Sequence, residues 1–517
     1  MKGNNFYKTY PGLIVIFMAL FSVAIHLLVA NNLEYNRDEM LYFSLGQHPA
    51  FGYASVPPMI GWIAWLVEHT LGYSLFAVRL FPALLSGVMV IMVAAIAGEL
   101  GGNSYARVLA GVGFIISGFG LRTFSEFMPV YIDVVFWTII IYLIIRYVNT
   151  YSGKTLILLG FVAGFSLLNK YLISILFFSL LIVIPFTENR KIFRDKDFWY
   201  SIAGGLLVFL PNLLWQFVNR LPVINHMAEL QRTQLAYVNK LSFLTDQVIM
   251  PSFASFLTIS GIIYIMSNKD ARKYRFLGIV IILVVVIIMF LRGKSYYTIG
   301  VFPFLIATGA VSYEKWLIKT WIRITFPVML VLLTIPMLPM GLPVFNAQGL
   351  ITYFKIVETK YGIVIGRKFE DGSIHSLPQD YADMLGWEEL TQVTSKAYEQ
   401  IVDKKAAFIY GENYGEAAAI NIIGKKYGLP DPISFSESFQ YWVPKRFDPD
   451  ITSIVYINHA PPGEDVKTLF RKISVIGSIT NPNSREFGTT VYLCQDPVES
   501  FNIFWTARLG NLHKEGK

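Results

Sequence analysis

The sequence predicts a polytopic α-helical membrane protein of about eleven transmembrane helices, with interfacial helices in its first outer loop and a C-terminal α/β domain outside the membrane. Three observations predict this. The mean hydropathy over 517 residues is +0.50 and only 15% of residues are charged, whereas a soluble chain carries nearer a quarter. Basic residues cluster in alternate loops between apolar runs. Beyond about residue 343 charges, Gly, Asn and Asp return, and no run is long enough to span.

The apolar runs lie at 11–30, 75–98, 105–124, 130–148, 155–168, 170–186, 198–217, 248–266, 276–291, 297–313 and 321–341. Only "LNKYL" separates the fifth from the sixth, so ten or twelve spans remain open. The first run is long, lacks a small-x-small cleavage site and leads into further spans, and so reads as a membrane helix instead of a signal peptide.

Charge sets the orientation. With Lys2 and Lys8 cytoplasmic, the other cytoplasmic loops are those at Arg107, Arg146/Lys154, "ENRKIFRDKD", "NKDARKYR" and "EKWLIKTWIR". They hold nearly all the basic clusters. The net charge of +8 is thus an orientation signal, and no nucleic-acid partner is expected. An odd number of spans places 343–517, and the first loop, on the extracytoplasmic side of the cell membrane.

Within that loop "PPMIGWIAWLVEHTLG", 57–72, starts with Pro57 and Pro58, carries Glu68 and His69, and reads as a helix at the outer interface. Residues 37–48 suggest a second. In the tail, "AAFIYG", "ITSIVYIN", "KISVIG" and "TTVYLCQ" read as buried strands, and "GEAAAINIIGKKYG" as a helix closed by Gly428. The boundaries are 1–342 for the membrane domain and 343–517 for the soluble one. A single cysteine, Cys494, excludes an intramolecular disulfide.

Several polar residues fall near the outer ends of spans: Asp38 and Glu39, Glu126 and Asp133, Lys170, then Asn212, Trp215 and Gln216, then Arg292 and Lys294. Each has a plainer reading. Asp38 and Glu39 also suit a loop or a helix N-terminus, and Lys170, Arg292 and Lys294 suit snorkelling cations. Glu126 reads as a solvated loop residue. Asp133 lies on a span about one turn past Pro129 and is harder to explain structurally. His48, His69 and His226 have no metal-ligand spacing. A carboxylate that deprotonates a hydroxyl, with cations that stabilise a leaving phosphate, would suit transfer from a lipid phosphate. A transporter would also place charges in the membrane, but with interrupted helices, repeated halves and no large outer domain.

The stretches "RDEMLYFSLGQHPAFGYASVPPMIGW", "RLFPALLSG", "YIDVVFW", "GFSLLNKY", "LPNLLWQ" and "RGKSYYTIGVFPFLIATGA" resemble glycosyltransferase family 39. So do "LPQDYADMLGWEEL" and "NYGEAAAINIIGKKYGLP" in the tail. This family of GT-C fold includes protein O-mannosyltransferases and the aminoarabinose transferase of lipid A. The resemblance implies transfer of a sugar, with inversion, from a polyprenyl-phosphate donor on the extracytoplasmic face. It implies Asp38 as base or acceptor-positioning residue with Glu39 second, and Asp133 as a further acidic position. Lys170, Arg292, Lys294 and Tyr296 fall where donor phosphate is held, Gln216 joins that group, and Arg37 binds phosphate or orients Asp38. The acceptor is a glycolipid, an envelope glycan or a protein, and membrane lipids are partners. The resemblance makes no cofactor certain; metal dependence varies across GT-C enzymes, and a divalent metal is left open. The chain departs from the family at Ser55 and Val56, where relatives carry an acidic residue before the paired prolines, and at Ala418 in "GEAAAI", where Gly is common. A flippase of a lipid-linked sugar, or an assembly protein acting through its tail, would be the competing classes.

Overall fold

The computed structural model describes residues 6–364, 366–369 and 372–514; Lys2, used above for orientation, lies outside them. The chain forms two compact units. The first comprises Met1–Ala30, Ala50–Ile60 and Phe76–Val344, and the second Asn31–Pro49, Gly61–Leu75 and Phe345–Lys517. Most of the first loop thus groups with the C-terminal chain.

In the first unit every one of the expected apolar runs is helical. Among the described residues seven helices are long and apolar enough to span, or up to nine if two bent pairs each count as one span. This is a multi-pass membrane protein, but the expected eleven spans are not confirmed. Two runs have as their main helices only the shorter Ser104–Ile115 and Gly153–Leu167. The run over 105–124 is divided because Ser117 caps a new helix, its Oγ accepting from Gly120 N at 3.2 Å. The pair Tyr171–Phe186 and Glu188–Arg194 bends by 108° at Thr187, which caps the second piece by accepting from Asn189 N. The pair Lys240–Ile249 and Ser252–Ser267 bends by 90° where Pro251 interrupts the chain.

Small residues let these helices approach closely, since lipid gives no hydrophobic drive between them. Gly160 and Gly164 on Gly153–Leu167 face Ser201 and Gly205 on Lys196–Val218. A Cβ at Gly160 would lie 2.0 Å from the Ser201 carbonyl oxygen, and one at Gly164 2.5 Å from that of Gly205. The opposite side of Lys196–Val218 exposes Leu206, Leu207, Leu210 and Leu214, as a lipid-facing helix should.

The loops that share one sidedness by charge meet at one end of this unit. Asn149 Nδ2 donates to the Glu99 carbonyl at 2.9 Å, and Lys273 Nζ donates to Asn149 Oδ1 at 2.7 Å. Glu314 accepts from Asn103 N, Lys315 pairs with Asp270, and Arg272 lies 3.7 Å from Glu188. At the other end Asn212 Nδ2 donates to the Phe51 carbonyl, Met59 N to Leu168 O, and Asn169 Nδ2 to Pro129 O.

The second unit carries a four-stranded sheet of order β1-β2-β4-β3, built from β1 (Ala407–Gly411), β2 (Ser453–Asn458), β3 (Phe470–Ser478) and β4 (Thr490–Pro497). β1 and β2 are parallel; β4 pairs antiparallel with both β2 and β3. All four lie where the apolar tail segments predict them. Phe408, Tyr410, Ile454 and Tyr456, at period-2 positions, pack with Phe501 and Trp505 of the last helix, Phe501–Lys514. The tail helix forms as Tyr414–Ile422, followed by a 3-10 turn to Gly428 at φ 67°. The first-loop helices form as Arg37–Gly46 and Met59–Leu71.

Candidate active site

Two helices of the second unit start with the same device. Asn36 accepts from Asp38 N at 2.9 Å, and Glu39 Oε2 accepts from Asn36 N at 2.9 Å. Asn413 and Glu416 do the same for Tyr414–Ile422. Each Asn-x-x-Glu thus closes its own helix N-terminus with a capping box. Glu39 is fully buried, so of the first-loop carboxylates it is the one committed to the helix start.

These helices lie side by side. At one end Asn421 Nδ2 donates to Ser44 Oγ and to Gln47 Oε1, both at 2.9 Å. At the other, the Tyr414 hydroxyl donates to Asp38 Oδ1 at 2.8 Å. The Arg37 guanidinium sits 4.4 Å above the Tyr414 ring. Arg37 Nη1 is 3.6 Å from Glu486 Oε1, and its backbone N–H donates to the Asp383 carbonyl. Asp383 in turn is paired with Arg485 at 3.0 Å.

Burial dominates the electrostatics here. It pushes the Asp383 carboxyl up to about 7, against the pull of Arg485 and Arg37. It pushes Glu416 up to about 8, against the Asn413 backbone N–H. Burial, reinforced by Asp38, holds the Tyr414 hydroxyl well above its ordinary range. Burial would lower Arg37, but Tyr414, Glu486, Asp383 and Asp38 together raise it. The cluster therefore keeps Tyr414 protonated and Arg37 charged, with Asp38 as the recipient of the tyrosine proton donor.

The first unit gathers a different set. Asp133, one turn into the helix Pro129–Thr150, is 3% exposed, and its Oδ1 accepts no hydrogen bond from the described residues. Asn169 Oδ1 is equally unpartnered. Lys170 Nζ lies 5.5 Å from the Tyr296 ring centre and 5.3 Å from that of Tyr297. Lys294 Nζ lies 6.0 Å from Tyr296. Lys170 interacts electrostatically with both Asp133 and Lys294.

Other sequence candidates have structural partners. Gln216 Nε2 donates to the Tyr171 hydroxyl at 3.0 Å, which donates to Asn212 Oδ1, so Gln216 belongs to the relay that anchors the Phe51 segment. Arg292 is exposed and donates to the Ala236 carbonyl at 2.9 Å. Glu126 is not solvated as expected: it is 4% exposed, 2.8 Å from Arg122 one turn earlier. His48 stacks on Trp442 and His69 on Trp65. Among the described residues no group of three or more His, Cys, Asp or Glu could hold a metal ion.

Tyr414, Asp383, Arg485 and Glu486 were absent from the sequence candidates. Tyr414 and Asp383 lie inside two of the tail stretches that carry the resemblance, "NYGEAAAI" and "LPQDYADML". Nothing in their spacing indicates a first-loop partner.

A membrane-helix unit and an α/β unit with first-loop helices define the class: the chain has the GT-C fold. It is similar to ArnT from Cupriavidus metallidurans bound to undecaprenyl phosphate, with TM-score 0.60 and 12% identity over 94% of this chain and 98% of that one. The apo state of the same protein gives TM-score 0.57 and 13% identity, over 93% and 98%. Residues 55–215 match the family described as dolichyl-phosphate-mannose-protein mannosyltransferase. Together these findings bear out the family 39, ArnT-like resemblance. The matched segment contains Asp133, Lys170 and Gln216's neighbour Trp215, but not Asp38, Arg292 or Lys294. No curated protein matches the chain by sequence.

Proposed function

We propose that the protein is an inverting glycosyltransferase that moves a sugar from a polyprenyl-phosphate donor to an acceptor hydroxyl on the extracytoplasmic face, with Asp38 as base. One observation carries the residue assignment: of the adjacent carboxylates Asp38 and Glu39, Glu39 closes the helix and Asp38 is held beside Arg37 by Tyr414. The donor class is supported by the undecaprenyl phosphate bound to the similar ArnT.

The acceptor oxygen attacks the anomeric carbon on the side opposite the phosphate. The bond from that carbon to the phosphate oxygen breaks, and its electron pair leaves on polyprenyl phosphate. The acceptor proton passes to Asp38. A phosphate needs no general acid to leave. It needs cations near the developing charge, the role assigned to Lys170 and Lys294. Asp133 orients Lys170 through their attraction. The N-terminus is cytoplasmic and the tail extracytoplasmic, a reading supported by the basic loops that meet at one end of the helical unit. Glycolipid, envelope glycan and secreted protein all present the required hydroxyl.

The test uses purified full-length protein, a radiolabelled polyprenyl-phosphate sugar and an envelope extract. Asp38→Asn should abolish transfer while leaving the protein folded in the membrane. Full transfer by that variant would sink the base assignment, and movement of intact donor across liposomes would favour a flippase instead.

A further inference from the structure

We infer that Tyr414, supplied by the C-terminal chain, is the positioning residue of Asp38, so that the tail aims the base. The inference deepens the glycosyltransferase reading and rests on it.

Three observations lead there. The Tyr414 hydroxyl donates to Asp38 Oδ1 at 2.8 Å across 376 residues of chain. Asp38 Oδ2 accepts no hydrogen bond from the described residues. One carboxylate oxygen is therefore anchored and the other is available to take a proton. Finally, Arg37 lies 4.4 Å above the Tyr414 ring and is itself held by Glu486, so the ring has a fixed lid.

The helix starts make this contact reproducible. Tyr414 is the first residue of its helix and Asp38 the second of its own, each placed by an Asn-x-x-Glu capping box. Asn421 bonds Ser44 and Gln47 two turns further on. Two helices joined at both ends cannot slide, so the hydroxyl and the carboxylate stay in register. A carboxylate free to rotate about its last torsion would spend only part of its time aligned with the acceptor proton, and fixing it raises the rate without binding substrate more tightly.

Tyr414→Phe removes the hydroxyl and keeps the ring under Arg37. In the full chain, with donor and acceptor as above, kcat should fall about 10- to 100-fold, the range for loss of a hydrogen bond to a charged group. KM for both substrates should stay within about twofold, because no substrate contact is removed. Asp38→Glu supplies the second arm. Its longer side chain moves the carboxylate off the tyrosine, so adding Tyr414→Phe should cost less than about threefold there. Wild-type kcat in Tyr414→Phe, a loss that falls in KM, or an equal loss in both backgrounds would each overturn the inference. Those outcomes are distinct from failure of the reading beneath it, which shows as transfer by Asp38→Asn.

Discussion

The two units hold their buried carboxylates differently. In the second unit Glu39 and Glu416 each close a helix through one oxygen and Asp383 faces Arg485, although Glu416 Oε1 and Glu68 Oε2 find no hydrogen-bond partner among the described residues. In the first, Asp133 Oδ1 and Asn169 Oδ1 are buried without a hydrogen-bond partner near a lysine that rests over two tyrosines. Buried polar atoms are almost always satisfied in folded proteins, and exceptions call for a reason. The difference is that the carboxylates named in the second unit are each held through one oxygen or an arginine, whereas Asp133 Oδ1 in the first is held by none of the described residues.

The strongest break in this comparison is Asp38→Asn. It should lower kcat by at least about a thousandfold, to the level of a lost base or below, with donor binding retained. Lys170→Met should come next. Transfer should drop about 100- to 1000-fold, and binding of the lipid phosphate, measured by tryptophan fluorescence titration, should weaken as well. A Lys170→Met variant that binds donor normally would remove the lysine from phosphate recognition.

A third variant touches only the helix seam of the first unit. Gly160→Leu drives a side chain into the Ser201 carbonyl. It should cost about 1–3 kcal/mol in thermal or detergent unfolding, while the Arg37–Gly46 helix keeps its hydrogen-exchange protection. Loss of protection in both units would show that they unfold together.

The smallest effect is a pH slope. Burial pushes the Glu416 carboxyl in the folded chain up to about 8 from an ordinary value of 4.5. Between those values the folded state holds a proton that the unfolded state releases. Stability of the second unit therefore falls as pH rises through that window. Glu416→Gln, which keeps the capping geometry, should flatten the decline in hydrogen-exchange protection of Tyr414–Ile422 from about pH 5 to 8. An unchanged slope would assign it to Asp383.

Much of the fold is legible in the sequence because apolar runs and alternating strands are local signals. All the runs are helical, and β1–β4 lie where their apolar segments do. Span number was less legible, since Ser117 divides the 105–124 run and Pro251 bends the chain within the 248–266 run, neither of which hydropathy marks as a break. The role of Glu39 was within reach: "NRDE" is an Asn-x-x-Glu helix start, and the same pattern recurs in "NYGE". The Tyr414–Asp38 contact was not, because a hydrogen bond across 376 residues leaves no local periodicity. Nor was the grouping of first-loop residues 31–49 and 61–75 with the tail.

The twin capping boxes carry a consequence for anion selection. An open helix N-terminus ordinarily offers free amide groups to phosphate, whatever the phosphate is attached to. Here Asn36 with Glu39 and Asn413 with Glu416 place their own oxygens at both helix starts. Free phosphate, nucleotides and other soluble anions find no backbone cradle there, and Arg37 is already engaged by Tyr414 and Glu486. The helix start that carries Asp38 thus has its amides engaged from within the chain, and Asp38 itself is bonded by Tyr414.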